Sequence, residues 1–393
     1  MTKYDDHDET AGLLSSLIGI NTSNPPGNEA ALAAFIQRYL TGEGAGAGAF
    51  RVVDHGGGRA SLVLDLPGGN PGLTLGFAGH MDTVPPGERA EWRSDPFRAE
   101  RREGFVHGRG AADMKGGLTA MILLARSYLR DGPPPVNLRF FFTADEEAAG
   151  MGAAALRDAG FFGDLAFLFI CEPTGGHPGV CEKGIVWYDF TLQGRTSHAS
   201  MPERGINALE AGFEYLAGVK EKIAALAAAP HPLLGTNTCS VTLAQGGVKI
   251  NVIPDRAAFS ADIRCVPGTE LPRVEAALDE AAGDLERRHP GLVITRTCRD
   301  RRPALEADVS HPAAAFMVDL CGKEAGKKPL GLFYFTDASL VIPFYPRLPF
   351  MILGPGLPGE CHCPNEKIAP GAIIEAAARY RQFVEAARGE WFS

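Results

Sequence analysis

Residues 137–171, NLRFFFTADEEAAGMGAAALRDAGFFGDLAFLFIC, decide the fold. The segment opens with NLRFFFTA, which contains three consecutive phenylalanines, and closes with the wholly apolar run LAFLFIC, and a helical pattern at about 150–159 joins them. The same alternation begins earlier, with SLVLDL at 61–66, LTLGFAG at 73–79 and a helical pattern at 116–130. Apolar strands separated by helices predict an α/β fold with a mixed, mainly parallel sheet covered by helices on both faces.

The stretch from about 185 to 298 shows a different pattern. Its strands, such as VWYDFTL and AAFSADIRC, alternate apolar and polar residues, and two long helices at about 203–227 and 270–289 separate them. The order β-α-β-β-α-β predicts an inserted α+β domain of ferredoxin-like type at residues 184–299. The run LPFMILG at 348–354 and a last helix at about 370–388 belong to the first domain, which therefore comprises residues 1–183 and 300–393.

The composition narrows the class of protein. The 393 residues include 38 Lys and Arg against 47 Asp and Glu, with a formal net charge of -9 and no long basic run, which argues against nucleic-acid binding. No apolar run has membrane-spanning length, and the acidic start MTKYDDHDETAGLL lacks the basic and apolar segments of a signal peptide. We therefore expect a cytoplasmic protein whose eight scattered cysteines are reduced.

Polar residues follow most of the apolar runs directly, and one run through a Gly/Pro loop, at the carboxyl ends of parallel strands where ligands collect in such sheets. They are His80 and Asp82 after LTLGFAG, Glu146 and Glu147 after NLRFFFTA, Glu172 after LAFLFIC, His362 after LPFMILG, and Asp113 before a helix. Each alone is an ordinary loop residue or helix cap. Together, imidazoles and carboxylates at one sheet edge would repel and lose hydration unless cations held them. The donor mixture suits zinc, with cobalt or manganese as substitutes.

Six motifs give the chain a family resemblance. They are GHMDTVP (79–85), GRGAADMKGG (108–117), TADEEAAG (143–150), CEPT (171–174), GRTSHAS (194–200) and HCPNE (362–366). In this order and spacing they resemble the acetylornithine deacetylase, succinyl-diaminopimelate desuccinylase and carboxypeptidase G family of dinuclear zinc peptidases. The resemblance covers nearly the whole chain and implies a metallohydrolase.

The resemblance also implies roles for single residues. The metal ligands it implies are Asp113, which bridges two ions, His80 and Glu172 on one ion, and Glu147 and His362 on the other. Asp82 would orient the His80 ring, and Glu146 would be the general base that takes a proton from the attacking water and passes it to the leaving amine. Neighbours on a strand point apart, so this assignment needs a turn at Glu146 and Glu147, which the following Ala-Ala-Gly permits.

Three residues of the inserted domain complete the implied site. His198 in GRTSHAS matches a histidine that stabilises the developing oxyanion and that in relatives comes from a partner subunit. Asn251 and Arg264, in NVIPDRAAFSADIR, match residues that hold the substrate's carboxylate, a task that suits the planar fork of arginine. The alternatives are a surface histidine, a structural asparagine and an arginine at a strand end. We expect the inserted domain to act as a lid and to mediate a homodimer.

The sequence therefore predicts a dinuclear-metal hydrolase that cleaves a small linear amide, of the N-acyl amino acid type, in a carboxylate-bearing substrate. The alternatives are a metallo-carboxypeptidase or dipeptidase, a hydrolase of an unusual amide or amine, and a non-catalytic small-ligand binding protein. Cys361 and Cys363 flank His362 and raise a mononuclear thiolate site as a further alternative. Residues 333–335, Phe-Tyr-Phe, replace glycines of many relatives, and residues 181–184 lack the arginine-rich stretch of the desuccinylase branch, so we expect a different pocket.

Overall fold

A computed structural model of the chain describes residues 6–387 and 389–392. Its helices are α1 (His7–Ile18), α2 (Glu29–Gly42), α3 (Gly116–Asp131), α4 (Met151–Asp158), α5 (Ala208–Ala225), α6 (Leu271–Arg288), α7 (Pro312–Ala325), α8 (Ala338–Val341) and α9 (Pro370–Ala386). Its strands are β1 (Phe50–Gly56), β2 (Arg59–Leu66), β3 (Asn70–His80), β4 (Glu100–Arg102), β5 (Phe105–His107), β6 (Val136–Thr143), β7 (Leu165–Ile170), β8 (Gly179–Glu182), β9 (Gly184–Gln193), β10 (Thr238–Gly246), β11 (Arg256–Cys265), β12 (Val293–Arg302), β13 (Leu305–Glu306), β14 (Leu330–Leu332), β15 (Phe350–Ile352) and β16 (Lys367–Ile368).

The chain divides into two compact units. The second unit comprises Cys181–Glu306 and Gly331–Phe335, and the rest of the described chain forms the first unit. The predicted domain limits at 183/184 and 299/300 stay a prediction.

The sheet of the first unit runs in the order β1-β2-β6-β3-β7-β15. Strands β6, β3, β7 and β15 are parallel, and β1 and β2 extend the sheet in antiparallel pairing. Strand β3 is buried from Leu73 to His80, as a strand covered on both faces must be. Its Phe77 packs between Phe140 and Phe169, with ring centroids 5.4 and 5.2 Å away, and against Tyr380 of α9. The predicted mixed, mainly parallel sheet is confirmed.

The sheet of the second unit is a separate, wholly antiparallel one in the order β10-β11-β9-β12. Alternate residues of β9, from Val186 to Leu192, lie in a hydrophobic core with α5 and α6. The residues between them lie on the opposite face, which we call the open face of this sheet. The predicted β-α-β-β-α-β insert and its ferredoxin-like topology are confirmed.

The predicted helices lie close to the observed ones, with differences at their ends. Helix α5 begins at Ala208 rather than near 203, because the Asn207 side chain accepts hydrogen bonds from the backbone N–H groups of residues 209 and 210 and caps the helix there. Helix α9 ends at Ala386, and the predicted end at residue 388 lies outside the described residues. None of the helices in the described ranges is long and apolar enough to cross a bilayer.

Candidate metal centre

The candidate site lies at the carboxyl ends of the three central parallel strands of the first unit. Strand β3 lies between β6 and β7, and its last residue, His80, pairs in register with Thr143 at the end of β6. The side chains that follow these strand ends therefore meet at one edge of the sheet. Those that the sequence singles out are Glu146 and Glu147 after β6 and Glu172 after β7.

Asp113 lies between two histidine rings and presents one carboxylate oxygen to each. Nε2 of His80 lies 3.1 Å from Oδ1 of Asp113, and Nε2 of His362 lies 3.3 Å from Oδ2. Each ring also faces a glutamate, because Oε1 of Glu172 is 3.5 Å from His80 Nε2 and Oε2 of Glu147 is 3.1 Å from His362 Nε2. The five residues thus form two His-Glu pairs that share Asp113.

Glu366 holds the segment that carries Asp113, and sequence reasoning gave it no role. Its buried carboxylate accepts four hydrogen bonds, from Nη1 of Arg109 (2.7 Å) and from the backbone N–H groups of Gly110 (3.0 Å), Ala112 (2.7 Å) and Asp113 (2.9 Å). The only signal in the sequence was its place as the last residue of the HCPNE motif. Glu366 therefore positions the shared carboxylate without facing the centre itself.

Two glycines let the backbone around the centre pack closely. A Cβ atom on Gly117, in the first turn of α3, would lie 2.2 Å from the carbonyl oxygen of Cys171. A Cβ atom on Gly354 would lie 2.4 Å from the carbonyl oxygens of Cys171 and Glu172. No larger residue fits either position, so glycine is needed where α3 and the chain after β15 approach the end of β7.

Asp82 and Asn24 hold the turn that carries the two adjacent glutamates. The carboxylate of Asp82 accepts the backbone N–H groups of Glu146 (3.1 Å) and Glu147 (3.2 Å). Nδ2 of Asn24 donates to Asp82 at 2.8 Å and to Asp145 at 2.9 Å. Asp145 has a φ of 72°, so the chain leaves the strand direction before Glu146, and the required turn is present. Asn24 is a second residue that sequence reasoning missed.

Asp82 also faces the His80 ring. Nδ1 of His80 lies 3.0 Å from the carbonyl oxygen of Asp82 and 3.6 Å from its Oδ1. A proton on Nδ1 is therefore directed to Asp82, and in the neutral ring Nε2 keeps its lone pair on the side of Asp113. This is the form in which histidine binds a metal ion.

The glutamates of the centre are crowded and buried. Burial raises the pKa of Glu146 well above its usual range, and the charge of Glu172 adds to the rise although His80 opposes it. Burial likewise raises the pKa of Glu172 well above its usual range, again against the charge of His80. Burial and the charge of Asp113 also raise the pKa of Glu147. Without a cation, this cluster favours proton uptake.

The histidines respond to the same negative charge. Burial lowers the pKa of His80, but the charge of Glu172 and the hydrogen bond to Asp113 outweigh it and raise that pKa well above its usual range. Hydrogen bonds to Asp113 and Glu147 raise the pKa of His362 to about 10. Both rings thus lie in a strongly negative environment that a metal ion would neutralise.

The donor set fits divalent metal ions. The ligand atoms of His80, Asp113 and Glu147 lie within 4.8 Å of one another, and so do those of His80, Glu146 and Glu172. Oε1 of Glu147 is buried and has no hydrogen-bond partner among the described residues. A buried carboxylate oxygen without a donor is costly, and a cation would satisfy it. Imidazole nitrogen together with carboxylate oxygen suits zinc.

His362 enters the centre from the loop after β15. Its φ is 61°, and 55% of its side chain is exposed. The eight cysteines form no disulfide bond in the described part of the chain, and the sulfurs of Cys361 and Cys363 lie near the carbonyl oxygens of residues 357 and 359, at 3.6 and 3.8 Å. Burial and the charge of Asp113 raise the pKa of the Cys361 thiol, which disfavours a thiolate. Among the described residues, the groups that could hold a metal contain neither cysteine.

The other three predicted site residues lie in the second unit. His198 and Asn251 are exposed. Nδ1 of His198 accepts the backbone N–H of Ser200 at 3.2 Å, so the neutral ring carries its proton on Nε2. The guanidinium of Arg264 is already bound, because Nε and Nη2 donate to Asp262 at 2.9 and 3.0 Å.

Two of the solved structures that share this fold are a Bacillus aminopeptidase and a Bacillus metal-binding peptidase. The aminopeptidase PepT of Bacillus cereus ATCC 10987 has a TM-score of 0.78 and 20% identity, over 97% of this chain and 98% of that chain. The YXEP protein of Bacillus subtilis, described as a dinuclear metal binding peptidase, has a TM-score of 0.69 and 17% identity, over 96% and 97%. At these identities the likeness shows the fold.

Sequence relatives show the family. The acetylornithine deacetylase of Proteus mirabilis (strain HI4320) is 31% identical over 335 residues, 84% of this chain and 82% of that protein. A probable succinyl-diaminopimelate desuccinylase of Staphylococcus aureus (strain Mu50 / ATCC 700699) is 28% identical over 79% of this chain and 82% of its own length. Residues 76–386 match the description "Peptidase family M20/M25/M40". The resemblance predicted from the motifs is confirmed: the chain belongs to peptidase family M20/M25/M40 and is a hydrolase that acts on carbon–nitrogen bonds.

Proposed function

We propose that this hydrolase uses two divalent metal ions, zinc with cobalt or manganese as substitutes, to cleave a small linear amide of the N-acyl amino acid type. The observation that carries the proposal is the position of Asp113, whose two oxygens face separate His-Glu pairs at 3.1 and 3.3 Å. Two such pairs suit two ions, since a single ion would leave one buried glutamate without a charge to offset it. The activities named for the two sequence relatives support an N-acyl substrate.

Five residues would hold the ions. They are His80 and Glu172 for one ion, Glu147 and His362 for the other, and Asp113 for both. When bound, the two ions would polarise the scissile carbonyl and lower the pKa of the attacking water toward about 7. Asp82 keeps His80 in the tautomer that leaves Nε2 free, and Glu366 keeps the backbone of Asp113 in place.

Glu146 is the proposed general base. It is buried after the end of β6, its ligand atom lies within 4.8 Å of those of His80 and Glu172, and the carboxylate that faces His362 is that of Glu147. Burial raises the pKa of Glu146 in the metal-free protein, and two cations beside it would lower that pKa again and leave a carboxylate that can take a proton from water. Glu146 would then pass this proton to the nitrogen of the leaving amine, which departs as a neutral group.

The second unit supplies the remaining proposed contacts. Nε2 of His198 carries a proton in the neutral ring and would donate to the oxyanion that develops on the attacked carbonyl. Asn251 and Arg264 would hold the substrate's carboxylate, for which Arg264 has to exchange its bonds to Asp262. Residues 184–299 would act as the lid that makes these contacts.

We also propose a homodimer that forms through the second unit. Strand β10 is an edge of its sheet, and three apolar side chains on it or just after it are exposed: Leu243 (63%) on the strand, and Val248 (91%) and Ile250 (99%) in the segment that follows. An unpaired edge beside exposed apolar residues favours association with a second copy. Analytical sedimentation of the double variant Val248→Lys/Ile250→Lys, compared with the natural protein, measures whether these side chains are needed for the dimer. A cytoplasmic location and the lack of a nucleic-acid partner stay predictions.

Hydrolysis assays test the proposed function. Purified protein is stripped with a chelator and then assayed with N-acetyl amino acids, N-succinyl amino acids and dipeptides as zinc is added back. We expect turnover to vanish on chelation, to return as the second equivalent of zinc binds, and to be faster for N-acyl substrates than for dipeptides. Turnover that resists chelation, or that is complete with one equivalent, would contradict the proposal. Parallel additions of cobalt and manganese compare the substitutes.

A further inference from the structure

Arg59 joins two buried carboxylates beside the metal centre of the first unit. It is the first residue of β2, and 13% of its side chain is exposed. Its Nη1 donates to Oδ1 of Asp145 at 2.7 Å, and its Nε donates to Oε2 of Glu29 at 3.1 Å. Its Nη2 donates to the other carboxylate oxygen of Glu29. One guanidinium thus binds Glu29 through two hydrogen bonds and Asp145 through a third.

The two carboxylates share this one cation. The side chains of Glu29 and Asp145 are 0% and 2% exposed, and within the described residues Arg59 is the single basic partner of both. The backbone N–H of Asp145 also donates to Oε1 of Glu29 at 3.3 Å, so the two residues are in contact. Buried carboxylates repel each other unless a cation offsets their charges. Removal of the guanidinium should therefore move Asp145 away from Glu29.

Asp145 closes the turn that carries Glu146 and Glu147. Its carbonyl oxygen accepts the backbone N–H of Gly150 at 2.5 Å. Its Oδ2 accepts the backbone N–H of Met151, the first residue of α4, at 3.2 Å. The two glutamates therefore lie between the end of β6 and the start of α4 in a turn that Asp145 joins at both sides. A displacement of Asp145 would displace both glutamates.

A backbone hydrogen bond fixes the base of the ion pair between Arg59 and Glu29. The N–H of Ala30 donates to the carbonyl oxygen of Gly58 at 3.1 Å. These two residues are the immediate neighbours of Glu29 and Arg59 in the sequence. The start of α2 is thereby joined to the start of β2. The guanidinium thus has a fixed position from which it can hold Asp145.

Arg59 acts on one side of the metal centre. Glu147, which follows the turn at Asp145, faces His362 at 3.1 Å. The proposed ligands of the other ion, His80 and Glu172, follow β3 and β7 instead. None of the hydrogen bonds of Arg59 within the described ranges reaches that second pair. A change of Arg59 should therefore disturb one of the two ion sites and spare the other.

We infer that Arg59, held by Glu29, is a positioning residue that fixes the turn of Glu146 and Glu147 through Asp145. The inference rests on the proposed function, since it takes Glu147 to bind one of two ions and Glu146 to accept the proton of the attacking water. Arg59 acts through Asp145 and does not itself contact the substrate. It should therefore control kcat and the affinity for one ion, and leave KM nearly unchanged.

Zinc titration and kinetics of Arg59→Gln test the inference in the full chain. Competition with a chromophoric chelator measures the affinity of each zinc ion. We expect one ion to bind about 10–100-fold more weakly and the other to bind as in the natural protein, because only one ion loses a well-placed ligand. At saturating zinc, kcat for the best N-acyl substrate should fall about 10–100-fold and KM should change less than about 2-fold, since a displaced base weakens the transition state rather than substrate binding.

Arg51→Gln is the matched control, because Arg51 pairs with Asp65 between β1 and β2 and 53% of its side chain is exposed. It should leave kcat and both zinc affinities unchanged. Arg59→Lys serves as the second variant if Arg59→Gln does not fold. Its ammonium keeps the positive charge but lacks the fork that binds two carboxylates, so the same ion should weaken by a smaller factor. Equal weakening of both ions, or unchanged zinc affinity and kcat in both Arg59 variants, would overturn the inference.

Hydrogen exchange of the metal-free protein separates this inference from the proposed function. If the natural protein binds fewer than two zinc ions or hydrolyses no amide, the proposed function fails. The backbone N–H groups of residues 146–151 should still exchange about 10-fold faster in Arg59→Gln than in the natural protein, because the turn opens more often. Exchange in Arg51→Gln should match the natural protein. Equal exchange rates in all three proteins would contradict the role of Arg59 in holding the turn.

Discussion

Replacing Glu366 with glutamine removes the anion that holds Asp113 in place. The glutamate accepts four hydrogen bonds, two at each carboxylate oxygen. The amide oxygen of glutamine can keep two of them, whereas its NH₂ group is a donor that faces two other donors. A hydrogen bond to a charged group contributes about 1.5–3 kcal/mol, so Glu366→Gln should lower the free energy of unfolding by about 3–6 kcal/mol.

This loss is large against the ordinary stability of a folded domain, about 5–15 kcal/mol. The loss of stability is increased by Arg109, because this arginine is 2% exposed and would be left without its buried carboxylate partner. Urea unfolding of the chelated protein measures the change, and competition with a chromophoric chelator measures zinc affinity. We expect zinc to bind about 10–100-fold more weakly, as is usual when a residue that positions a metal ligand is changed.

Glu43→Gln is the control, because Glu43 pairs with Arg130 near the surface and should change stability little. If the Glu366→Gln variant unfolds at the same urea concentration as the natural protein and binds zinc equally well, then Glu366 does not hold Asp113 in place. A loss of stability with unchanged zinc affinity would limit Glu366 to a structural role.

Three further predictions concern the centre itself. In the metal-free protein, the pKa values of Glu146, Glu147 and Glu172 are raised, and the pKa of His362 is raised to about 10. Above about pH 5 the folded state therefore holds more protons than the unfolded state. Its free energy of unfolding should therefore fall as pH rises from 5.5 to 9, by about 1.4 kcal/mol per pH unit for each extra proton, and urea titrations should show no such slope with zinc bound. Asn24→Ala removes the donor between Asp82 and Asp145 and should lower kcat about 10-fold, with Asn21→Ala as the exposed control; equal kcat values would contradict the role of Asn24. Glu146→Gln should keep both metal ions, measured by elemental analysis, and lower kcat by about 10²–10⁴-fold, whereas full activity would exclude Glu146 as the base.

The sequence predicted the parallel core because strand β7 is apolar at every position and β6 contains the run Phe140–Phe142, a pattern that burial on both faces explains. Helices α1 and α2 were not predicted. Helix α1 packs against α9, which lies at the other end of the sequence, and α2 packs against β2, so the packing of both helices depends on the assembled fold. The start of α5 was placed too early because a helical pattern does not show which residue caps the helix.

The site was predictable where strand ends fix positions, as for His80 and Glu172. Asn24 and Glu366 could not be found in this way, because they act on Asp82 and Asp113 from 58 and 253 residues away. The pairing of Arg264 with Asp262 did have a local signal, since residues two apart on a strand share a face. The roles assigned to the site residues, in the first unit as in the second, stay predictions.

The central claim is that Asp113 is shared by two metal ions. Anomalous X-ray diffraction at the zinc edge, from crystals of the protein loaded with zinc, tests it most directly. We expect two peaks, one beside His80 and Glu172 and one beside Glu147 and His362, with one oxygen of Asp113 next to each. A single peak, or a peak bound by Cys361 or Cys363, would contradict it.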